Sequence, residues 1–199
     1  MGFLHLFREL FFRVAARKKT LVCFGVLFLC GFILGIAFIK TPAIYGYHLR
    51  LCDRFVDRVC YSDRSIFVIF VERTFANGLF LILILCSGVH PIGLILPPML
   101  LCYRSYTFGG SIVVFFSVYR MSGALIVFVL YLPIHLLVDL VLIGAAAISC
   151  ERAFGFQFCQ RDFIRLGRDA LLLVVCVAVI CLLEAVLLLV LFHPIGNLL

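Results

Sequence analysis

Two ionisable residues lie inside an almost wholly apolar stretch of the chain, Met121–Ser149, close to a proline. Pro133 cannot donate a backbone hydrogen bond to the carbonyl of Val129, and its ring crowds that turn, so we expect a bend here. His135 and Asp139 follow at a spacing of four residues, which places them on one face of a helix. Because lipid does not solvate charged groups, this face must contact protein or water.

Glu184 is a further acidic residue within an apolar run, Ala170–Phe192. Counted from the predicted inner ends of their helices, His135 and Glu184 both lie about 21 Å above the inner membrane face. We therefore predict that these two side chains meet, with Asp139 one turn closer to the cytoplasm. Such a cluster favours a structural role, in which polar side chains hold helices together. A proton or ion relay in a transporter is the second interpretation.

Motifs for enzymatic chemistry are absent from the sequence. It contains no HExxH, GxSxG or paired-acid motif, and its serines are scattered through apolar runs. It also has no CxxC-type spacing among its 10 cysteines, most of which lie in apolar runs where cysteine acts as a small hydrophobe. We therefore expect no catalytic residue, no metal and no cofactor.

The composition indicates a membrane protein. Hydrophobic residues make up 65% of the chain and charged residues 14%, compared with about 45–50% and about 25% in soluble domains. The net charge of +7 does not indicate nucleic-acid binding, because the basic residues flank apolar runs instead of covering a polar domain. Lipid is therefore the first expected partner.

Five apolar runs predict an all-α bundle that forms a single membrane domain over residues 1–199. The predicted spans are Leu21–Ile39, Thr74–Tyr103, Arg104–Tyr119, Met121–Ser149 and Ala170–Phe192. The second is interrupted by glycines and prolines between Gly88 and Pro98, so we expect it to be kinked or broken, and a split into two pieces stays open. The fourth is expected to bend at Pro133.

Three polar segments precede or connect these spans. Residues 1–20 form a basic amphipathic segment expected on the inner membrane surface, residues 40–73 an extracytoplasmic loop with a short amphipathic helix, and residues 150–169 a cytoplasmic loop. The basic cluster before the first span orients the bundle by the positive-inside rule. We therefore expect a multi-pass protein of the bacterial cell membrane with a cytoplasmic N-terminus and an extracytoplasmic C-terminus.

Glycines mark two places where helices could approach each other closely. Gly31 and Gly35 make a GxxxG pair in the first span, and Gly109 and Gly110 are adjacent in the third. Packing within the chain is the favoured use, while a homo-oligomer is the alternative for the GxxxG pair.

The order of features from Glu72 onward resembles a known family. The segment ERTFAN ends at Asn77 before one span, YRSYTFGG ends at Gly110 in the next, and LPIHLLVD bends the fourth. With a basic first span and an outer loop before them, this layout resembles the stage II sporulation protein M family of bacterial membrane proteins. The specific likeness covers residues 72–149, and Ile134 stands where that family has a His or Gln directly after the proline.

The resemblance implies a scaffold with no catalytic role. Family members of the sporulating type hold two peptidoglycan-degrading partners, stage II sporulation proteins D and P, at the septal membrane during engulfment of the forespore. The expected function is therefore a membrane scaffold for cell wall remodelling in spore formation. From the residues alone, the alternative is the membrane subunit of a transporter or exporter with a polar site at the kinked fourth helix.

Overall fold

The chain is almost entirely helical in a computed structural model, which describes residues 8, 14, 17–60, 66–90, 94–154 and 160–196. Its helices, in chain order, are α1 (Lys18–Phe38), α2 (Pro42–Cys60), α3 (Ile66–Ser87), α4 (Leu96–Ile126), a π-helical turn (Val127–Tyr131), α5 (Leu132–Phe154) and α6 (Gln160–Gly196). No strand occurs among the described residues. The all-α class expected from the sequence is confirmed. Most of the predicted basic segment 1–20 lies outside the described residues.

Four stretches of the described chain are long and apolar enough to cross a membrane, which makes this a multi-pass membrane protein. They are Lys18–Phe38, Phe67–Ser87, Leu96–Ala153 and Gly167–Leu188. The third has 58 residues. As one straight helix it would be about 87 Å long, nearly three times the hydrocarbon thickness of about 30 Å, so it has to fold back on itself.

The fold-back occurs at Arg120, whose φ of 48° is not helical. Aromatic residues before and after this turn face each other across it. The Phe116 and Phe128 rings are 6.1 Å apart, and the Phe108 and Tyr131 rings stack at 5.4 Å. The two arms are therefore antiparallel, and the described chain runs through the bundle five times.

The second arm departs from regular α-helix just before its proline. In the turn Val127–Tyr131, the N–H of Leu132 bonds to the carbonyl of Val127, five residues back. The next residue, Pro133, has no N–H to donate to the carbonyl of Val129, so the α-helical bonding pattern cannot continue here. Where the sequence predicts a bend, the structure has this π-helical turn, a feature that often lies at functional sites.

The second predicted span, Thr74–Tyr103, is divided between two helices. α3 ends at Ser87, whose hydroxyl donates a 2.7 Å hydrogen bond to the carbonyl of Ile84. α4 begins at Leu96 with prolines in its first turn, where a missing N–H costs nothing because it would have no helical partner. These prolines start a helix and do not kink one. At the other end, α3 begins earlier than predicted, at Ile66.

α2 lies across one end of the bundle, the end that also holds the turn at Arg120; we call it the α2 end. The apolar side of α2 is buried, and the Phe55 ring packs edge-on against the Phe115 ring at 5.8 Å. The hydroxyl of Tyr119 donates a 2.9 Å hydrogen bond to Asp53. These contacts fix the amphipathic helix to the spans beneath it.

α1 packs against α4 through the glycines that the sequence singled out. A Cβ added at Gly35 would overlap the carbonyl of Tyr106, and one added at Gly109 would overlap the carbonyl of Phe32. Gly31, about one helical turn before Gly35, contacts the same helix at the backbone of Cys102. Only glycine lets two backbones come this close, so in this structure the GxxxG pair serves a contact within the chain.

The largest apolar core lies between α3, α5 and α6. Buried residues from all three helices form it, namely Leu81, Ile84, Leu142, Val177 and Cys181. Ala145, Ala146 and Ala147 of α5 are fully buried, and their small side chains let the neighbouring helices approach.

Candidate functional site

α5 and the π-helical turn present Tyr131, His135 and Asp139 on the face that meets α4. Asp139 is 2% exposed and forms a hydrogen-bonded ion pair with the Nε of Arg104. The Arg104 guanidinium also lies over the Phe80 ring, 5.7 Å from its centre. The pair joins α4 to α5 and gives this intramembrane carboxylate the partner that a buried charge requires.

Glu184 of α6 pairs with an arginine of α3. The Nε of Arg73 lies 3.2 Å from the Oε1 of Glu184, and its guanidinium lies 5.6 Å from the centre of the Phe55 ring. The sequence led us to expect His135 beside Glu184. In the structure the residue beside Glu184 is Arg73, because α3 begins at Ile66, earlier than predicted, and therefore includes Arg73 within the bundle.

His135 lies among aromatic rings. Its ring centre is 4.3 Å from that of Tyr131 and 5.6 Å from that of Phe108. The Nε2 atom is buried and has no hydrogen-bond partner among the described residues. Pro133 itself is exposed, so it acts on this site only through the backbone.

A cavity of about 220 Å³ lies beneath α2, between that helix, α3 and the two antiparallel arms that the turn at Arg120 joins. Its polar lining residues are Arg54, Arg73, Thr107, Ser111, Tyr131 and His135. The remaining described walls are Cys52 and apolar side chains, and no described lining residue carries a carboxylate. The cavity therefore offers hydrogen-bond donors and two guanidinium groups to whatever enters it.

His48 and Cys52 of α2 contact the cavity-lining residue Ser111 from the α2 side. The fully buried His48 ring occupies the space above Gly110, where a Cβ would lie 2.5 Å from Nε2. The Nδ1 of His48 is 3.3 Å from the hydroxyl of Ser111, and the Cys52 thiol donates to the carbonyl of Ser111 at 3.5 Å. Burial lowers the pKa of His48 and raises the pKa of Cys52 to about 12, so both are uncharged at neutral pH.

The end of the bundle opposite to α2 is held by further ion pairs. Arg17 pairs with Glu151. Arg152 pairs with Asp169 at 3.2 Å. Together they attach the beginning of α1 and the first third of α6 to the last turn of α5, which is a structural role.

The site combines two internal ion pairs with a polar cavity. The described residues contain no group of three His, Cys, Asp or Glu side chains that could hold a metal ion. The arrangement can lock helices together and can bind a small polar ligand. Sequence reasoning missed Arg73 and Arg104 as site residues because it placed both at the ends of spans. Two acids inside apolar runs were a signal that two arginines should join them.

The chain matches no protein-family model, no curated protein and no solved structure. The geometry of the bundle is therefore what bears on its function.

Proposed function

We propose that the protein is an integral membrane scaffold, without enzymatic activity of its own, that holds peptidoglycan-remodelling partners at the septal membrane during spore formation. The observation that carries this proposal is α2. Its apolar side is fixed on the end of the bundle, while Arg50 and Asp57, which do not line the cavity, are exposed. A charged surface on a firm support suits the docking of partner proteins, because charge complementarity fixes orientation and partner choice.

The bundle beneath α2 has the rigidity that a scaffold requires. The Arg73–Glu184 pair joins α3 to α6, and the Arg104–Asp139 pair joins α4 to α5. Separating either pair would leave an unpaired charge where lipid cannot solvate it. The spans that support α2 are therefore held in one arrangement.

The resemblance to the stage II sporulation protein M family supplies the partners and the orientation of this proposal. By that resemblance the partners are stage II sporulation proteins D and P, which act outside the cytoplasm. A cytoplasmic N-terminus would put α2 on their side of the membrane. Moving Arg73 and Arg104 from the loops into the bundle removes one basic residue from each side, so the charge bias that orients the chain is unchanged.

Site-specific crosslinking in sporulating cells tests the scaffold. A photoreactive residue at Arg50 or Asp57 is expected to capture wall hydrolases, because both positions are exposed on the proposed docking surface. The matched control is Leu140, which is exposed on α5 within a span and should capture none of them. Failure of both α2 positions to capture a wall hydrolase would contradict the proposal, and capture of an ATPase subunit would favour transport.

The cavity favours a second candidate, the membrane subunit of a transporter or exporter. A polar chamber that reaches His135 inside the bundle is what a translocated solute would need. The double variant R50S/D57S separates the two functions because it changes the outer face of α2 and leaves the cavity lining intact. A scaffold should lose partner capture in this variant, whereas a transporter should keep its activity.

A further inference from the structure

We propose that the cavity beneath α2 is a binding site for a small oxyanion, such as inorganic phosphate or a small carboxylate. The proposal goes beyond the scaffold function and does not depend on it. Partner docking would use the exposed face of α2, whereas this site lies under the buried face of the same helix. An occupied cavity is compatible with either candidate function.

The charges around the cavity select for an anion. Arg54 of α2 and Arg73 of α3 line it, and the described lining residues include no carboxylate. A metal ion or an organic cation would meet no carboxylate on the described walls, and since Glu184 balances the charge of Arg73, the charge of Arg54 remains to attract an anion. An anion would meet two guanidinium groups, which are the side chains best suited to oxyanions because their N–H groups match two oxygens at once.

Arg73 is held in a position from which it can bind such a ligand. One contact is with the Phe55 ring, and the other is with Glu184, whose carboxylate lies at the Nε of the guanidinium. The terminal nitrogens of Arg73 are therefore the ones that it can offer to a second oxyanion. Because the side chain is already fixed, little conformational freedom is lost when a ligand binds.

His135 supplies a donor from the opposite wall. Its ring is fixed between Tyr131 and Phe108, and its buried Nε2 has no hydrogen-bond partner among the described residues. Buried polar groups in proteins nearly always have a partner. An oxyanion in the cavity would accept one hydrogen bond from the Nε2–H tautomer and others from the guanidinium groups of Arg54 and Arg73.

The size of the cavity limits the ligand to a small one. Its volume is about 220 Å³, whereas sites for drug-sized ligands measure about 300–1,000 Å³. A water molecule takes about 30 Å³ in the liquid. Phosphate or acetate therefore fits with several waters, and a nucleotide does not.

The test is equilibrium binding of labelled inorganic phosphate and labelled acetate to the full chain in nanodiscs of phosphatidylcholine, at constant chloride. We expect saturable binding of at least one probe at one site per chain. The double variant R73Q/E184Q removes one of the two guanidinium groups that line the cavity without leaving Glu184 unpaired, and it should weaken binding at least tenfold. The matched control, R104Q/D139Q, neutralises an equivalent pair that does not line the cavity and should bind within twofold of the unmodified protein.

A third variant covers the case in which R73Q/E184Q does not fold. H135F leaves both ion pairs in place, keeps an aromatic ring against Tyr131 and removes the Nε2 donor, so it should weaken binding at least fivefold. Absence of saturable binding of both probes would overturn the proposal. Equal losses in the two double variants, or unchanged binding in H135F, would also overturn it.

The same chemistry could be supplied by a free anion or by the phosphate of a lipid headgroup. Replacing part of the phosphatidylcholine with phosphatidylglycerol distinguishes them. Competition by this lipid for the phosphate site would identify a headgroup as the ligand. Unchanged phosphate affinity would identify a soluble anion.

Discussion

Removing one member of a buried ion pair should destabilise this bundle far more than removing both. We consider D139N, R104Q and the double variant R104Q/D139N. In D139N the guanidinium of Arg104 stays in place on α4, between α5 and the Phe80 ring, and loses its counter-charge. The double variant leaves two neutral amides that can hydrogen-bond to each other.

The expected size follows from the burial of each pair. Breaking a buried ion pair by removing one partner costs about 3–5 kcal/mol, whereas neutral replacement of both partners is often tolerated. The side chains of Arg104 and Asp139 are 12% and 2% exposed, and those of Arg73 and Glu184 are 19% and 5% exposed. We therefore expect D139N to cost about 3–4 kcal/mol, E184Q about 2–3 kcal/mol and R104Q/D139N about 1 kcal/mol.

The free energy of unfolding can be measured by steric trapping in lipid bicelles. If R104Q also costs about 3–4 kcal/mol, the two single losses together should exceed the loss in the double variant by about 5–7 kcal/mol, because neighbours that share an interaction are not additive. A combination of one member from each pair, D139N with R73Q, is the control and should be additive within about 0.5 kcal/mol. Additive losses for R104Q and D139N would refute the view that this pair locks α4 to α5.

Three further predictions concern α1 and α2. Gly35→Leu should abolish the folded state by driving a side chain into α4, whereas Gly25→Leu, where a Cβ has nothing within 4 Å, should keep near-wild-type folded yield in size-exclusion chromatography. The free energy of unfolding should fall as the pH drops below about 6.5, because burial lowers the pKa of His48 in the folded state and the unfolded chain then binds more protons. H48N should flatten this dependence in chemical or thermal unfolding. Maleimide should label Cys52 slowly at pH 7.5, because the pKa of its buried thiol is about 12, and should label a cysteine placed at the exposed Arg54 of the same helix rapidly.

The fold class could be read from the sequence because lipid leaves a chain few choices. Within the hydrocarbon core every backbone polar group must be bonded internally, so long apolar runs become helices. The departure from regular α-helix next to Pro133 is likewise a local consequence of a missing N–H, and the structure shows it as a π-helical turn. Features with such local causes are within reach of sequence reasoning.

The charge pairs were out of reach for a different reason. Hydropathy treats an arginine as a sign that a span has ended, and Arg73 and Arg104 were placed at helix ends on that basis. Their real environment depends on α6 and α5, which lie far away in the sequence but adjacent in space. A local sequence pattern cannot predict that a carboxylate on another helix will pair with a given arginine.

The helix boundaries near Pro97 show the same limit. A proline run inside an apolar stretch fits both a kink and a helix beginning, since each tolerates a missing N–H. The structure selects the beginning, at Leu96, and thereby moves Arg104 into α4. One ambiguous boundary thus changed which residues the sequence could assign to the site.

The π-helical turn Val127–Tyr131 determines how α5 is rotated about its axis relative to the helical segment between Arg120 and the turn. One extra residue in a regular helix would swing everything after it by about 100°. The π-helical turn accommodates one extra residue without this rotation, so Phe128 keeps its contact with Phe116 and Asp139 keeps its contact with Arg104. Shortening the chain by one residue here should be absorbed in the turn, which would lose its extra residue and keep only the missing hydrogen bond that Pro133 imposes. The same deletion between His135 and Asp139 would rotate the carboxylate away from Arg104 and toward the acyl chains.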